Sequence, residues 1–161
     1  MPARAENLGT APARSRRRFL AAAAGLVAVL GTGGSPAGAG ARLRAALDKI
    51  LDGRAAATGK VSLDLAPITE NGASVLVGVQ VDSPMTQADH VLRLHLLAEE
   101  NPNVTVVTFH FTPQAGKVDI ITRIRLAKSQ NVHAVAETSG GEVYVASKFT
   151  KVTIGGCGGG N

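Results

Sequence analysis

Hydrophobic positions along the chain change their period once. In "ARLRAALDKILDG", which begins at Ala41, the residues Leu43, Ala46, Leu47, Ile50 and Leu51 recur at three- and four-residue spacing. That spacing predicts one short amphipathic helix with a single apolar stripe. Gly53 stands where a left-handed residue ends such a helix. After the turn-like "TGK" the period becomes two: Val61, Leu63 and Leu65 alternate with Ser62 and Asp64, and Val75, Val77, Val79 and Val81 alternate with Leu76, Gly78 and Gln80. Between those runs "ENG" predicts a hairpin turn, because Asn and Gly tolerate the positive φ that a tight turn needs.

The alternation continues through Leu92, Leu94 and Leu96 against Arg93 and His95, and then through Val104 to Phe111. It is clearest in "KVDIITRIRL", where Val118, Ile120, Ile124 and Leu126 face one way and Lys117, Asp119, Arg123 and Arg125 the other. Two last runs, Val132 to Glu137 and Glu142 to Ile154, are joined by "SGG". Seven strands are therefore predicted, separated by Ser83-Pro84, Asn101-Pro102, Ala115-Gly116 and Gly140-Gly141. Short strands at that interval predict an all-β fold, an immunoglobulin-like antiparallel β-sandwich preceded by a short N-terminal helix and followed by a flexible Gly-rich arm. A small open barrel is the alternative. The expected organisation is a signal segment over 1–39, helix and linker over 40–60, the sandwich over 61–153 and the arm over 154–161.

The residues ahead of this domain have a different character. "SRRRFL" from Ser15 to Leu20, the apolar run "AAAAGLVAVLG" and the small residues "AGA" from Ala37 to Ala39 follow the order of an export signal. The arginine pair points to the twin-arginine route into the periplasm, with cleavage expected after Ala39. The apolar run from Phe19 to Leu30 falls short of the roughly 20 residues that a membrane span needs, so no span is expected in the mature form. Charge changes meaning once the signal is set aside. The chain's formal +5 owes five arginines to the first 39 residues, and the remainder holds twelve basic and eleven acidic groups. With Phe109, Phe111, Tyr144 and Phe149 as its aromatics, that remainder offers no basic groove lined with stacking rings. Nucleic-acid binding is excluded as an expectation.

A β-sandwich hosts many chemistries, so function has to come from a site. His90, His95, His110 and His133 are scattered, without the spacing of a metal-ligand set. A blue-copper centre needs a thiolate beside histidines, whereas only glycines and Asn161 follow Cys157. No metal site is expected. Cys157 itself stands out. It is the one cysteine of a chain expected in an oxidising compartment, so it is free, joined to another molecule or modified. Its neighbours Gly155, Gly156, Gly158 and Gly159 have no side chains to pack, and the three residues after Ile154 extend about 10 Å at ~3.5 Å each. A free thiol has an ordinary pKa of about 8.5. Nothing in a solvated glycine arm lowers it, so the thiol stays nearly idle until a receiving site supplies positive charge or a metal. The expectation is a swinging thiol offered to other active sites. Two alternatives remain: an exported binding module whose cysteine forms an intermolecular disulfide, and a periplasmic redox or metal protein.

"VTIGGCGG", behind a twin-arginine leader, a short helix and a run of strands, resembles the SoxY family, the sulfur carriers of the bacterial thiosulfate-oxidation (Sox) system. The resemblance spans essentially the whole chain. The tail departs from it by continuing through Gly160 and Asn161. The resemblance implies a heterodimer with SoxZ, another small β-sandwich, and sulfur intermediates held covalently on Cys157 while Gly155, Gly156, Gly158 and Gly159 form the flexible mount. It implies further that a haem enzyme joins thiosulfate to the cysteine, a manganese-dependent hydrolase releases sulfate and, where present, a molybdenum enzyme oxidises the remaining sulfane sulfur. On that reading the chain is a covalent carrier and not an enzyme, with no cofactor of its own beyond the sulfur adducts.

Overall fold

The computed structural model describes residues 37–156. All but the last three residues of the expected signal segment lie outside the described residues, as do Cys157, Gly158 and Gly159. Helix α1 spans Ala37–Leu51, so it starts four residues ahead of Ala41 and runs through Ala39. It ends as the sequence predicts, with left-handed backbone at Asp52 (φ 47°) and Gly53 (φ 77°). It is too short to cross a bilayer, and no described helix is long and apolar enough to do so.

Each of the seven predicted runs is a strand, and two short strands join them. In chain order the strands are β1 (Ala56–Ala57), β2 (Val61–Leu65), β3 (Ile68–Asn71), β4 (Val75–Val81), β5 (Val91–Ala98), β6 (Thr105–His110), β7 (Val118–Ile124), β8 (Gln130–Thr138) and β9 (Val143–Ile154). They build an immunoglobulin-like sandwich of two sheets. One has the order β2-β4-β7; the other has the order β1-β9-β8-β5-β6, with β3 also pairing β9. Most pairs are antiparallel, as expected, but β1 and β3 run parallel to β9, facing its first and last residues. Neither carries a period-two signal: β1 has two residues and β3 is exposed along most of its length.

The extra strands correct one expectation. "ENG" is not the hairpin turn between β2 and β4, because Glu70 and Asn71 complete β3 in the opposite sheet. The chain still turns just after them, where the Ala73 amide donates to Asn71 Oδ1 at 2.9 Å, but Gly72 is absent from the positive-φ glycines. A second correction concerns Leu92. A bulge between Val91 and Arg93 shifts the register of β5 against β8, which buries Val91 completely and leaves Leu92 39% exposed. Strand β7 lies at the edge of the smaller sheet and pairs with β4 from Val118↔Val81 to Ile124↔Val75. Its other edge faces no strand among the described residues, and Ile121 projects outward from it.

The two sheets enclose the main core, which includes Leu63, Val77, Val79, Leu94, Leu96, Val132 and Ala134. The second core lies on the far side of the larger sheet, where Leu43 and the partly buried Ala46, Leu47, Ile50 and Leu51 of α1 pack on Leu97, Val104, Val135 and Val143. That is the apolar stripe of the sequence finding its seat. Burial on both faces explains why the ends of β5 and β8 are buried without alternation. Leu43 is buried and Ala46, Leu47, Ile50 and Leu51 partly so, and apolar area removed from water at roughly 25 cal/mol per Å² makes this stripe the apolar attachment of α1.

Polar contacts fix its position. Arg54, just past α1, donates to the last helical carbonyls, Leu51 O at 2.8 Å and Ile50 O at 2.6 Å, and to Glu137 Oε2 at 2.6 Å. Arg93 binds both Glu137 oxygens at 2.7 and 3.1 Å, and His95 Nε2 donates to Oε1 at 2.9 Å. Burial pushes the Glu137 carboxyl up, but the hydrogen bonds from Arg93, Arg54 and His95 outweigh it and hold the group at about 2. Glu137→Gln is expected to lower the unfolding free energy by about 3 kcal/mol at pH 7, read from a urea midpoint. Because the folded carboxyl lies at about 2, below its ordinary 4.5, its contribution is full above that ordinary value and is lost as pH falls toward the folded one. Parent and variant should converge across that interval; equal stability at pH 7 would show that the cluster does not hold the fold.

Candidate functional site

The last strand, β9, delivers the chain to its only cysteine. β9 pairs with β8 along one edge from Val143↔Glu137 to Thr150↔Gln130, and with β3 along the other from Ile68↔Lys151 to Asn71↔Ile154. Two described residues, Gly155 and Gly156, lie between the end of β9 and Cys157.

Three chain segments meet at this point through their backbones. The Gly72 amide donates to Ile154 O at 2.7 Å, the Leu126 amide to Gly72 O at 2.8 Å and the Gly156 amide to Leu126 O at 2.8 Å. The approach is closer than any side chain allows. A Cβ on Gly156 would stand 2.1 Å from Gly72 O, one on Gly155 2.2 Å from Ala127 O, and one on Gly72 2.4 Å from Leu126 O. Real Cβ atoms do not approach backbone so closely, so all three positions require glycine for clearance. Expected as part of a free mount, Gly155 and Gly156 are here seated in a backbone cradle, and Cys157, Gly158 and Gly159 lie outside the described residues.

The floor of the cradle is pinned from within. Leu126 is fully buried in the main core. Asn101 Oδ1 accepts from the Ala127 amide at 2.9 Å and from Gln130 Nε2 at 3.1 Å, while Asn101 Nδ2 donates to Arg125 O at 2.8 Å. Gln130 also donates to Lys128 O at 3.0 Å and accepts from the Glu100 amide at 2.8 Å. Both amides are buried, and their polar atoms are satisfied by the loop they hold. Ser129 Oγ adds a 3.0 Å bond from the Val152 amide, tying the same loop to β9. Gly72 and Asn101 figure in the sequence reading only as turn residues, and Gln130 does not figure in it. Gln130 carried a signal, since it lies in phase with the inward-facing Val132 and Ala134, where an apolar residue would ordinarily stand.

The histidines do not gather. His95 lies in the Glu137 cluster with Nδ1 against Thr108 Oγ1 at 2.9 Å. His133 Nε2 is 3.9 Å from Glu99, and burial pushes its imidazole below the ordinary value against that carboxylate's pull. His110 is exposed at the end of β6. Among the described residues no group of three or more His, Cys, Asp or Glu is placed to hold a metal. A cleft of about 340 Å³ opens beside Lys49, Arg54, Arg93 and Glu137, but its guanidinium groups are already engaged with Glu137. The cradle is the feature that adjoins the predicted chemistry. It sets where the chain stands immediately before its one thiol.

The model for the sulfur oxidation protein SoxY matches residues 47–157. Among solved structures, the sulfur carrier protein SoxY from Chlorobium limicola f. thiosulfatophilum is 26% identical, with a TM-score of 0.60 over 71% of this chain and 99% of that one. The superoxide reductase (neelaredoxin) from Ignicoccus hospitalis shares the fold at 20% identity, with a TM-score of 0.51 over 58% of this chain and 80% of that one. No curated protein sequence matches.

The polar support of the cradle is testable without touching it. Asn101→Ala removes the acceptor of the Ala127 amide and one of the two acceptors of Gln130 Nε2, and is expected to cost about 1–3 kcal/mol of stability. Hydrogen exchange at Ala127 should accelerate more than exchange at Val135. Uniform acceleration, or none, would show that Asn101 does not hold the loop.

Proposed function

The chain belongs to the SoxY family of sulfur oxidation proteins, and from that premise we propose that it is a periplasmic carrier that holds sulfur intermediates of thiosulfate oxidation on Cys157. One observation carries the reading: the segment that matches the family model ends at residue 157, and that residue is the chain's sole cysteine. The likeness to the Chlorobium sulfur carrier supports it over nearly that protein's whole length.

Loading joins the Cys157 sulfur to the outer sulfur of thiosulfate. The thiol proton and two electrons leave, and the electrons pass to the haem of the loading enzyme. Hydrolysis then breaks the bond between sulfane sulfur and sulfonate; water supplies the oxygen of the released sulfate, and a persulfide stays on Cys157. We assign the hydrolysis to a manganese-dependent partner and oxidation of the persulfide, where it occurs, to a molybdenum enzyme. The chain supplies the attachment atom and its mount, and contributes no catalytic group. A SoxZ-like subunit is the proposed permanent partner, and the twin-arginine segment the proposed route of export.

Intact mass measurement after incubation with thiosulfate and the loading enzyme should show the parent chain gaining one thiosulfate on its last peptide. Cys157→Ala should gain none and should stop thiosulfate-dependent electron transfer while remaining folded. Turnover by that variant would reject the carrier role. Recovery of the native protein mainly as a disulfide-linked pair of copies would favour the binding-module alternative instead.

A further inference from the structure

A carried sulfur has to reach active sites on other proteins, yet the two residues immediately before Cys157 are held by the sandwich. Gly156 donates to Leu126 O at 2.8 Å, and a Cβ on it would fall 2.1 Å from the carbonyl carbon and oxygen of Gly72 and 2.2 Å from the Ala73 amide nitrogen. Gly72 is fixed in turn by its own bonds to Ile154 and Leu126. Its contact with Gly156 is therefore direct, backbone on backbone, and leaves no room for even one added methyl.

We propose that Gly72 is a positioning residue for the carrier arm: with Gly155 and Gly156 it forms a clamp that sets the arm's origin at Gly156 rather than at the end of β9. This rests on the carrier reading. The clamp is local and made of backbone, so it holds whatever sulfur species Cys157 bears. Its consequence is geometric. Cys157 starts one peptide step, about 3.8 Å between Cα atoms, from a point fixed relative to both sheets. A partner's active site must therefore receive the rim formed by Gly72, Ala73 and Ala127, or open the clamp before the arm can reach further.

The clamp can be opened from either side. Gly156→Ala lies past the last strand, so it should expel the arm's root without unfolding the sandwich; Gly72→Ala attacks the same contact from the domain. In the parent chain, hydrogen exchange at the Gly72, Leu126 and Gly156 amides should be slowed at least about tenfold relative to free peptide. In Gly156→Ala the Leu126 and Gly72 amides should lose that protection while Val135 and Ala136 keep theirs. A nitroxide on Cys157 should give a narrower spectrum in the variant. Loading by the partner enzyme should fall by about fivefold in kcat/KM as the thiol loses its fixed origin, while reaction with a small disulfide reagent changes by less than about twofold. A parent Gly156 amide that exchanges at the free-peptide rate would overturn the clamp, as would unchanged spectra and loading in Gly156→Ala. Absence of any thiosulfate adduct on the parent Cys157, with amide protection intact, would overturn the carrier reading and the arm-positioning role while leaving the contact itself in place.

Discussion

Close backbone contact between Gly72 and Gly156 is the constraint on which the C-terminal half of this molecule is organised. It brings together the end of β3, the loop after β7 and the end of β9, three segments that sequence separation gives no reason to associate. The contact at Gly72 is made by backbone alone, with Ser129 Oγ tying the loop to β9 beside it. The junction works because carbonyl and amide groups meet directly, and it exists only where Cβ atoms are missing. Its rigidity is borrowed: Leu126 is anchored in the main core, and Asn101 with Gln130 occupies the other side of the loop. A buried amide pair costs stability when left unsatisfied and returns modest net energy when satisfied. Here it returns geometry, holding Ala127 O against Gly155.

The opposite face of the larger sheet is organised by different means. Helix α1 is held there by apolar burial and oriented by Glu137, which receives one donor from just past the helix end and two, Arg93 and His95, from β5. Surface ion pairs of this kind contribute about 0–1 kcal/mol when both partners are solvated. Glu137 differs because its side chain is only 3% exposed. A carboxylate that deep has to be compensated in place, and three donors compensate it. The result is a sheet covered on both sides, so that β9 emerges from a framework with little freedom of its own.

Much of this was legible in the chain. The valines of β4 and the alternation of β7 name their inward faces correctly, since one side of that sheet meets water and the period-two pattern survives. The stripe of α1 was equally plain. Legibility failed where the sheet is buried twice: His95 reads as a polar position opposite Leu94 and Leu96, but its side of the sheet is covered and it pairs with the buried Glu137. It failed again at β3, whose pairing is parallel and distant, so that no local alternation reports it. Gly72 was legible as a turn glycine and was misassigned for that reason. The need for glycine there comes from Leu126 and Gly156, both more than fifty residues away in sequence, and a single sequence records the glycine without recording those neighbours. At the arm itself the sequence shows glycines clustered around Cys157, while the contacts of the first two emerge only from what they touch.

The pairing of β9 along both edges has a mechanical side. An edge strand drawn by its end peels away, one hydrogen bond after another carrying the whole load. β9 is flanked by β8 on one side and by β1 and β3 on the other, so tension applied at the C-terminus runs along its axis and is shared by both ladders in shear. Pulling on the tail therefore strains many bonds at once. The sandwich can be tugged by whatever grips its terminus and keep its shape.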